Sequence, residues 1–385
     1  MTEPVEEEFT GRFLVLLQED AIEEGVAELG AIAGFDPNSG DLDPDAVAVF
    51  PEIGVAVVSG DPNLLTELNG AAERPGPVQI VEPERVVHAL DAAPAEDDVE
   101  PEADESVLTW GLQAVGADIS TATGKGVKIA VLDTGFEKNH PDFAGRTITT
   151  KSFITGEDVQ DGHGHGTHCI GTSSGPRKPA TAPGYGIAYE AEIFAGKVLS
   201  NAGSGSDGGI LAGIDWAVAN GCAVISMSLG ADVAPGTPAS QIYETVAQRA
   251  MAKGTLIIAA AGNASNRPAK VAPVGHPARC ASIIAVAAID VNRAIAFFSS
   301  GTVDKIGQVD VAGPGVDVYS SFKLPEKYAR LRGTSMATPH AAGVAVLIAE
   351  RTGARGFELW ARLALTAQRL PLPSTDVGGG LVQAP

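Results

Sequence analysis

The hydrophobic positions of this chain fall into two differently organised stretches. Over residues 12–83, short apolar runs alternate with amphipathic helical patterns. Phe13–Leu17 reads as a strand, and Asp20 is placed to cap a helix whose Ile22, Val26, Leu29 and Ile32 share one face before Gly34. Ala46–Phe50 and Ile53–Val58 read as strands joined through Pro51 and Glu52. Asp61-Pro62 opens a second helix carrying Leu64, Leu65 and Leu68, since proline suits the first helical position, and Val78–Val81 closes the series. The order β-α-β-β-α-β is that of a small α+β, ferredoxin-like domain.

From Val127 onward the strands become apolar throughout: Val127–Leu132, Ile193–Val198, Ala223–Met227, Leu256–Ala261 and Ile283–Ala287. Helices are expected over 208–220, 240–253 and 335–350. Strands apolar on both faces and separated by helices predict an α/β unit, a parallel sheet with helices on both faces and ligands at the carboxyl ends of its strands. Asp133, Ser228 and Asn263 stand at such ends. There is no internal repeat.

Between the two stretches, residues 91–105 hold eight carboxylates, no basic group and no periodicity, so burial cannot offset the cost of ordering them. The expected organisation is therefore a domain at 1–90, an acidic linker at 91–106 and a second domain at 107–385. Charge sharpens this division. Residues 1–110 carry 27 acidic and 3 basic side chains, the remainder 21 and 23. An acidic chain without a basic stripe is a poor nucleic-acid binder. Cys169, Cys222 and Cys280 are too few, and odd in number, for a disulfide framework. The start, Met1-Thr-Glu-Pro-Val-Glu-Glu-Glu, lacks the positive charge and apolar stretch of a secretory signal, and no run reaches membrane-spanning length. As written the chain is expected to start in the cytoplasm as a monomer with no membrane or nucleic-acid partner; an extracellular destination stays open if a leader was trimmed.

Candidate chemistry lies in two glycine-rich segments, Asp161-Gly-His163-Gly-His165-Gly-Thr-His168 and Gly333-Thr-Ser335-Met-Ala-Thr-Pro339-His340. A serine hydroxyl needs an adjacent base, a group that orients the base, and donors for the developing oxyanion. Ser335 opens the expected helix 335–350, where backbone N–H groups and the helix dipole favour negative charge. A helix-start serine is more often only a cap, and spacing alone leaves the choice of base among three histidines open. His163, His165 and His168 also resemble a metal cluster, so a metal-dependent hydrolase is the alternative. Thr167, however, stands where metallo-hydrolases of the β-lactamase type carry an Asp. Gly203-Ser-Gly205-Ser-Asp-Gly208 matches the dinucleotide fingerprint, but the next strand ends in Met227 and Ser228 rather than an acid.

Five segments in order complete the pattern: Ile129-Ala-Val-Leu-Asp133-Thr-Gly135, the histidine segment, Ser226-Met-Ser-Leu-Gly230, Ala259-Ala-Ala-Gly-Asn263 and the serine segment, followed by a closing Gly379-Gly-Leu-Val382. From about Val107 to Val382 the chain resembles the subtilisin-like serine proteases (subtilases). The resemblance implies an endopeptidase with His165 as base, Ser335 as nucleophile, Asp133 as orienter and Asn263 as oxyanion donor. It makes His168 a packed neighbour, and His163 a polar loop residue where the family commonly carries Asn. It assigns Gly203, Ser204 and Gly205 to a substrate wall. Ser228, Leu229 and Gly230 then face Ala260, Ala261 and Gly262 across the primary pocket, whose small linings favour Leu, Met, Phe or Tyr before the cut. Cys169 follows His168, as in the proteinase K-like branch, with packing as its expected role.

No cofactor for catalysis is implied. Asp142 matches a calcium ligand of the family, but no Asn-rich loop is recognisable in Ser173–Tyr185, so structural calcium is allowed and not expected. The first domain takes the place of an inhibitory propeptide. Its end, Glu84-Arg-Val-Val-His88-Ala-Leu90, implies self-cleavage between Leu90 and Asp91, so the expected partners are polypeptide substrates and the chain's own propeptide. An inactive peptide-binding scaffold is a further alternative, which nothing in the sequence supports because every triad and oxyanion position is filled.

Overall fold

The computed structural model describes residues 7–37, 46–90, 103–181 and 183–385. The N-terminal unit runs β1 (Phe9–Leu17), α1 (Ile22–Ala33), β2 (Val47–Phe50), β3 (Val55–Ser59), α2 (Pro62–Ala72) and β4 (Val78–Ala89). Its strands form an antiparallel sheet in the order β4-β1-β3-β2. Asp61 caps α2 by accepting from the Asn63 and Leu64 amides, with Pro62 at the first helical position. Asp20 does not cap α1. The Ala21 amide closes a turn onto the Gln18 carbonyl at 3.1 Å, which leaves Asp20 inside the turn and Ala21 as the cap residue without a side-chain bond.

The C-terminal unit begins with α3 (Trp110–Ala114) and continues β5 (Lys128–Asp133), β6 (Ile148–Ser152), α4 (His165–Ser174), β7 (Glu192–Lys197), β8 (Ser204–Ser206) and α5 (Asp207–Ala219). Then come β9 (Val224–Met227), β10 (Leu229–Gly230), α6 (Gln241–Ala252), β11 (Leu256–Ala260), β12 (Ile284–Ile289), β13 (Val311–Pro314), β14 (Val318–Ser321), β15 (Tyr328–Leu331), α7 (Thr334–Thr352) and α8 (Gly356–Thr366). Seven parallel strands lie in the order β13-β12-β11-β9-β5-β7-β6, with β5 and β9 near the middle. Helices α4 and α7 pack on each other and on this sheet, and α5 and α6 pack on β5, β7 and β11. This is the α/β architecture expected from the continuous apolar strands. The alanines and glycine behind Ser335 are buried along α7, which lets that helix lie close against β9, β11, β12 and β13.

The two units share a core. Along β1 the side chains alternate: Phe13, Val15 and Leu17 pack with Leu29 and Leu68 beneath α1 and α2, whereas Leu14 and Leu16 join Phe50, Ile53, Val55, Val57 and Val87 in the core of the C-terminal unit. The sheet is thus buried on both faces, which is why Phe13–Leu17 is apolar without a break. Strand β4 runs far past Val81, because its polar residues find partners across this contact. Glu82 accepts from the Ser240 hydroxyl at 2.5 Å and the Gln241 amide at 2.7 Å at the start of α6. Glu84, fully buried, pairs with Arg12 at 2.7 Å and accepts from the Gly208 amide at 2.9 Å in the first turn of α5. Both carboxylates meet the positive end of a helix dipole. Asp91 and most of the expected acidic linker lie outside the described residues. At the linker's end, Glu105 accepts from the Trp110 amide at 2.6 Å and pairs with Arg330 at 2.5 Å.

Candidate active site

Three strand ends and two helix starts meet at one point. Strand β5 ends in Asp133, whose Oδ1 lies 2.6 Å from Nδ1 of His165, the first residue of α4. Both side chains are buried. The loop delivering His165 is organised by Asp161, a residue whose role the sequence reading did not identify. Asp161 accepts from the amides of His163, Gly164 and Thr167 and from the hydroxyls of Thr134 and Thr167, at 2.7–3.0 Å. Burial alone would raise its carboxyl, but these donors, led by the Gly164 amide, hold it below the usual range. An Asp followed within six residues by Gly and Thr is a loop-closing signal that could have revealed it.

Ser335 stands second in α7, after Gly333 and Thr334. Pro339 lies four residues further on and has no N–H to give the Ser335 carbonyl. That carbonyl instead accepts from the Ser228 hydroxyl at 2.7 Å and the Cys169 thiol at 3.6 Å. Ser228 and Cys169 therefore fix the turn that carries the nucleophile. Burial pushes the Cys169 thiol up to about 11, so it stays protonated and inert at neutral pH.

Asn263 follows β11 and is locked in orientation, because its Oδ1 accepts from both the amide and the hydroxyl of Thr334 at 2.9 Å. Its Nδ2 is thereby aimed at a carbonyl oxygen, that of Leu90, at 2.5 Å. The Ser335 hydroxyl lies 2.8 Å from the same oxygen and 3.0 Å from the Ser228 carbonyl. Gly333, at φ 151°, is needed here, since a Cβ on it would stand 2.8 Å from the Leu90 oxygen.

The end of β4 occupies the cleft as an added strand. On one side Val86, Val87 and His88 pair with Ser206, Gly205 and Ser204, and the Ala89 amide donates to the Gly203 carbonyl at 2.9 Å. On the other, His88 and Ala89 pair with Gly230 and Leu229. The Leu90 side chain reaches Gly230, where an added Cβ would lie 3.3 Å from its Cδ1. The expected wall residues are thus brought together around a single peptide. Ala260, Ala261 and Gly262 lead from β11 into Asn263, buried except for the glycine's immediate neighbour.

The three histidines do not form a metal cluster. His168 Nε2 faces the Val318 carbonyl at 2.9 Å, and complete burial depresses its imidazole to about 3, so it stays neutral. His163 is half-buried with its ring centroid 6.2 Å from that of His165. Among the described residues, the one group whose ligand atoms lie close enough for a metal is Asp133, His165 and Cys169, and Cys169 keeps its proton. Asp142, the residue matching a calcium ligand, has one carboxylate oxygen engaged by two tyrosines. Its Oδ2 accepts from the Tyr185 hydroxyl at 2.6 Å and the Tyr328 hydroxyl at 3.0 Å. Burial and the Asp142 carboxylate raise both phenols, Tyr328 to about 12, so both remain donors to Oδ2.

The arrangement can do acyl transfer: a hydroxyl, an imidazole paired with a carboxylate, and an amide aimed at the oxygen of an extended peptide. Comparison with known proteins gives the same direction. Residues 124–370 match the model of the subtilase family. The chain is 40% identical to thermitase of Thermoactinomyces vulgaris over 265 residues, which cover 68% of this chain and 88% of thermitase. It is 39% identical to subtilisin Savinase of Lederbergia lenta over 283 residues, 72% of this chain and 97% of that one. To an alkaline protease of Alkalihalobacillus alcalophilus it is 38% identical over 308 residues, 77% and 75% of the two chains. Subtilases need no cofactor for catalysis. With the match spanning more than half of its length, the chain belongs to the subtilase family and is a serine endopeptidase acting on polypeptides.

Proposed function

We propose that Ser335, His165 and Asp133 carry the reaction and that the chain is made as a self-cleaving zymogen. The observation that carries this is the Leu90 carbonyl oxygen, held between the Ser335 hydroxyl at 2.8 Å and the Asn263 amide at 2.5 Å. In this reading Ser335 Oγ attacks the carbonyl carbon and its proton passes to His165 Nε2. Asp133 keeps the Nδ1 proton in place and stabilises the imidazolium, and Asn263 Nδ2 donates to the oxyanion. His165 returns the proton to the leaving amine, and water then releases the acyl group by the same steps in reverse. Cleavage falls between Leu90 and Asp91. The acidic N-terminal unit remains as an inhibitor, with Leu90 in the primary pocket, which accounts for a preference for large apolar residues before the cut. The enzyme works as a monomer, and the Asp142 region is held by its tyrosines without calcium.

A fluorophosphonate probe tests the catalytic assignment. The activated enzyme should be labelled on Ser335, and labelling should vanish in Ser335→Ala. Peptide hydrolysis that persists in Ser335→Ala would overturn it.

A further inference from the structure

Away from the cleft, the N-terminal unit is held at a second place. The turn Glu52–Gly54 between β2 and β3 sits on α5 and α6 of the C-terminal unit. Arg249 of α6, its side chain 8% exposed, sends Nη1 to the Ile53 carbonyl at 2.8 Å and to the Gly54 carbonyl at 3.2 Å. Its Nη2 donates to the Leu17 carbonyl, at the end of β1, at 2.8 Å. Lys253, one turn further along, donates to the Glu52 carbonyl at 2.8 Å and pairs with the Glu52 carboxylate at 2.6 Å. The amide side of the turn is held as well, since Asp215 of α5 accepts from the Glu52 amide at 2.7 Å. Gly54 adopts φ +64°, and a Cβ there would meet Arg249 Nη1 at 2.3 Å, so turn and guanidinium fit each other only with glycine.

The chemistry of this contact is unusual for a buried arginine. Its nearest carboxylate, Glu19, is 3.9 Å from Nε and largely exposed, so the guanidinium is satisfied by main-chain oxygens rather than by an ion pair. A planar fork of donors suits three carbonyls converging from two loops, a task a lysine ammonium performs poorly. Charge-assisted bonds of this kind are stronger than neutral ones, and removing the donor strands the buried Ile53 oxygen.

On the reading that the N-terminal unit inhibits after its own cleavage, we infer that Arg249 is the anchor that keeps the cut unit seated. It recognises the backbone of the Glu52–Gly54 turn and sets how long the enzyme stays latent. It takes no part in catalysis, since it binds on α6, remote in sequence and contact from Ser335 and His165. Cutting the Leu90–Asp91 bond does not touch this anchor. Release requires the turn to leave Arg249 or to be digested.

The test uses the full chain. Intact mass and hydrolysis of a short peptide amide with Leu before the scissile bond are followed together from the start of processing. The native chain should be cut after Leu90 and then show a lag before activity appears. Arg249→Ala should be cut at the same bond with a lag shortened about tenfold to a hundredfold, the equivalent of one charge-assisted hydrogen bond lost. Arg249→Lys should fall between. Gly54→Ala, made on the other partner, should shorten the lag like Arg249→Ala. Fully activated enzymes should share one specific activity and one melting temperature, which a general structural role for Arg249 would not leave equal. If Arg249→Ala does not fold, Arg249→Lys and Gly54→Ala decide. A lag unchanged in the variants that fold overturns the inference. A native chain with no cut after Leu90, or with no lag, overturns the zymogen reading instead.

Discussion

The N-terminal unit meets the rest of the molecule at two ends built on different principles. In the cleft, Val86–Leu90 is held as a strand by main-chain pairing to Ser204–Ser206 and Leu229–Gly230, with one side chain at Gly230. At the far end the turn Glu52–Gly54 is held by side chains, Arg249, Lys253 and Asp215, and by a packed core of Leu14, Leu16, Ile53 and Val57. The first end presents a peptide bond to the nucleophile, with main-chain pairing supplying affinity and the Leu90 side chain the specificity, as in β-strand addition generally. The second offers nothing to the nucleophile and, on the proposed self-cleavage, would survive the cut. The difference teaches that, in a self-cleaving zymogen of this build, breaking one covalent bond would not by itself free the active site.

The sharpest way to break the comparison is to disable the cutting end. Ser335→Ala should lower turnover on the order of 10⁶-fold, the loss known for removal of the nucleophile in subtilisins, and should leave the full chain uncut. Asn263→Ala should cost on the order of 10²–10³ in turnover, again the magnitude known from subtilisin, with little change in KM. If self-cleavage uses the same donor, cutting after Leu90 should slow by a similar factor, read from the masses.

The holding end is next. Leu16→Ala empties a buried position in the shared core and should destabilise the uncut Ser335→Ala chain by about 2–5 kcal/mol in urea titration, while the activated enzyme is unaffected. A loss carried over to the activated enzyme would show that Leu16 is not acting through the contact between units.

Acid should weaken the C-terminal unit in a predictable sense. Burial depresses His168 to about 3 and His340 to about 4, so between about pH 6.5 and 4 both bind protons in the unfolded chain and not in the folded one. Asp310, raised to about 7 by burial, keeps its proton in the folded state over the same range and opposes one of them. These three groups together take up one net proton on unfolding, a contribution of about 1.4 kcal/mol per pH unit lost as pH drops; Asp161, held low, adds to it, and Asp215 and Asp232, raised by burial, oppose it. The urea midpoint of Ser335→Ala at pH 6 and pH 5 measures it, and a midpoint that rises on acidification contradicts it. The smallest effect concerns calcium. If the Asp142 region is held without calcium, as proposed, Asp142→Ala should lose the two tyrosine bonds and lower the melting temperature equally in calcium and in chelator.

Much of this was legible in the sequence where a single element carries its own signal. Continuous apolar runs located five strands of the parallel sheet and put Asp133 and Asn263 at strand ends; the two glycine-rich segments held Ser335 and three candidate histidines, of which only the family resemblance singled out His165. What escaped depends on partners distant in sequence. Strand β6 is a sheet edge whose Thr149, Thr150 and Lys151 are exposed, so no apolar run marks it. Helix α4 is fully buried and made of small and polar residues, which removes the one-sided periodicity that reveals a surface helix. The extension of β4 was hidden because Glu82 and Glu84 look like a solvated loop until α5 and α6 are placed against them. Arg249 gave no signal at all, since its three acceptors are main-chain oxygens.

The most direct test of the account is the first bond cut. Intact-mass analysis of the freshly folded full chain should show fragments 1–90 and 91–385 appearing together before any hydrolysis of added peptide, and neither fragment in Ser335→Ala. A first cut at another position, or peptide hydrolysis by a chain still intact between Leu90 and Asp91, would contradict it.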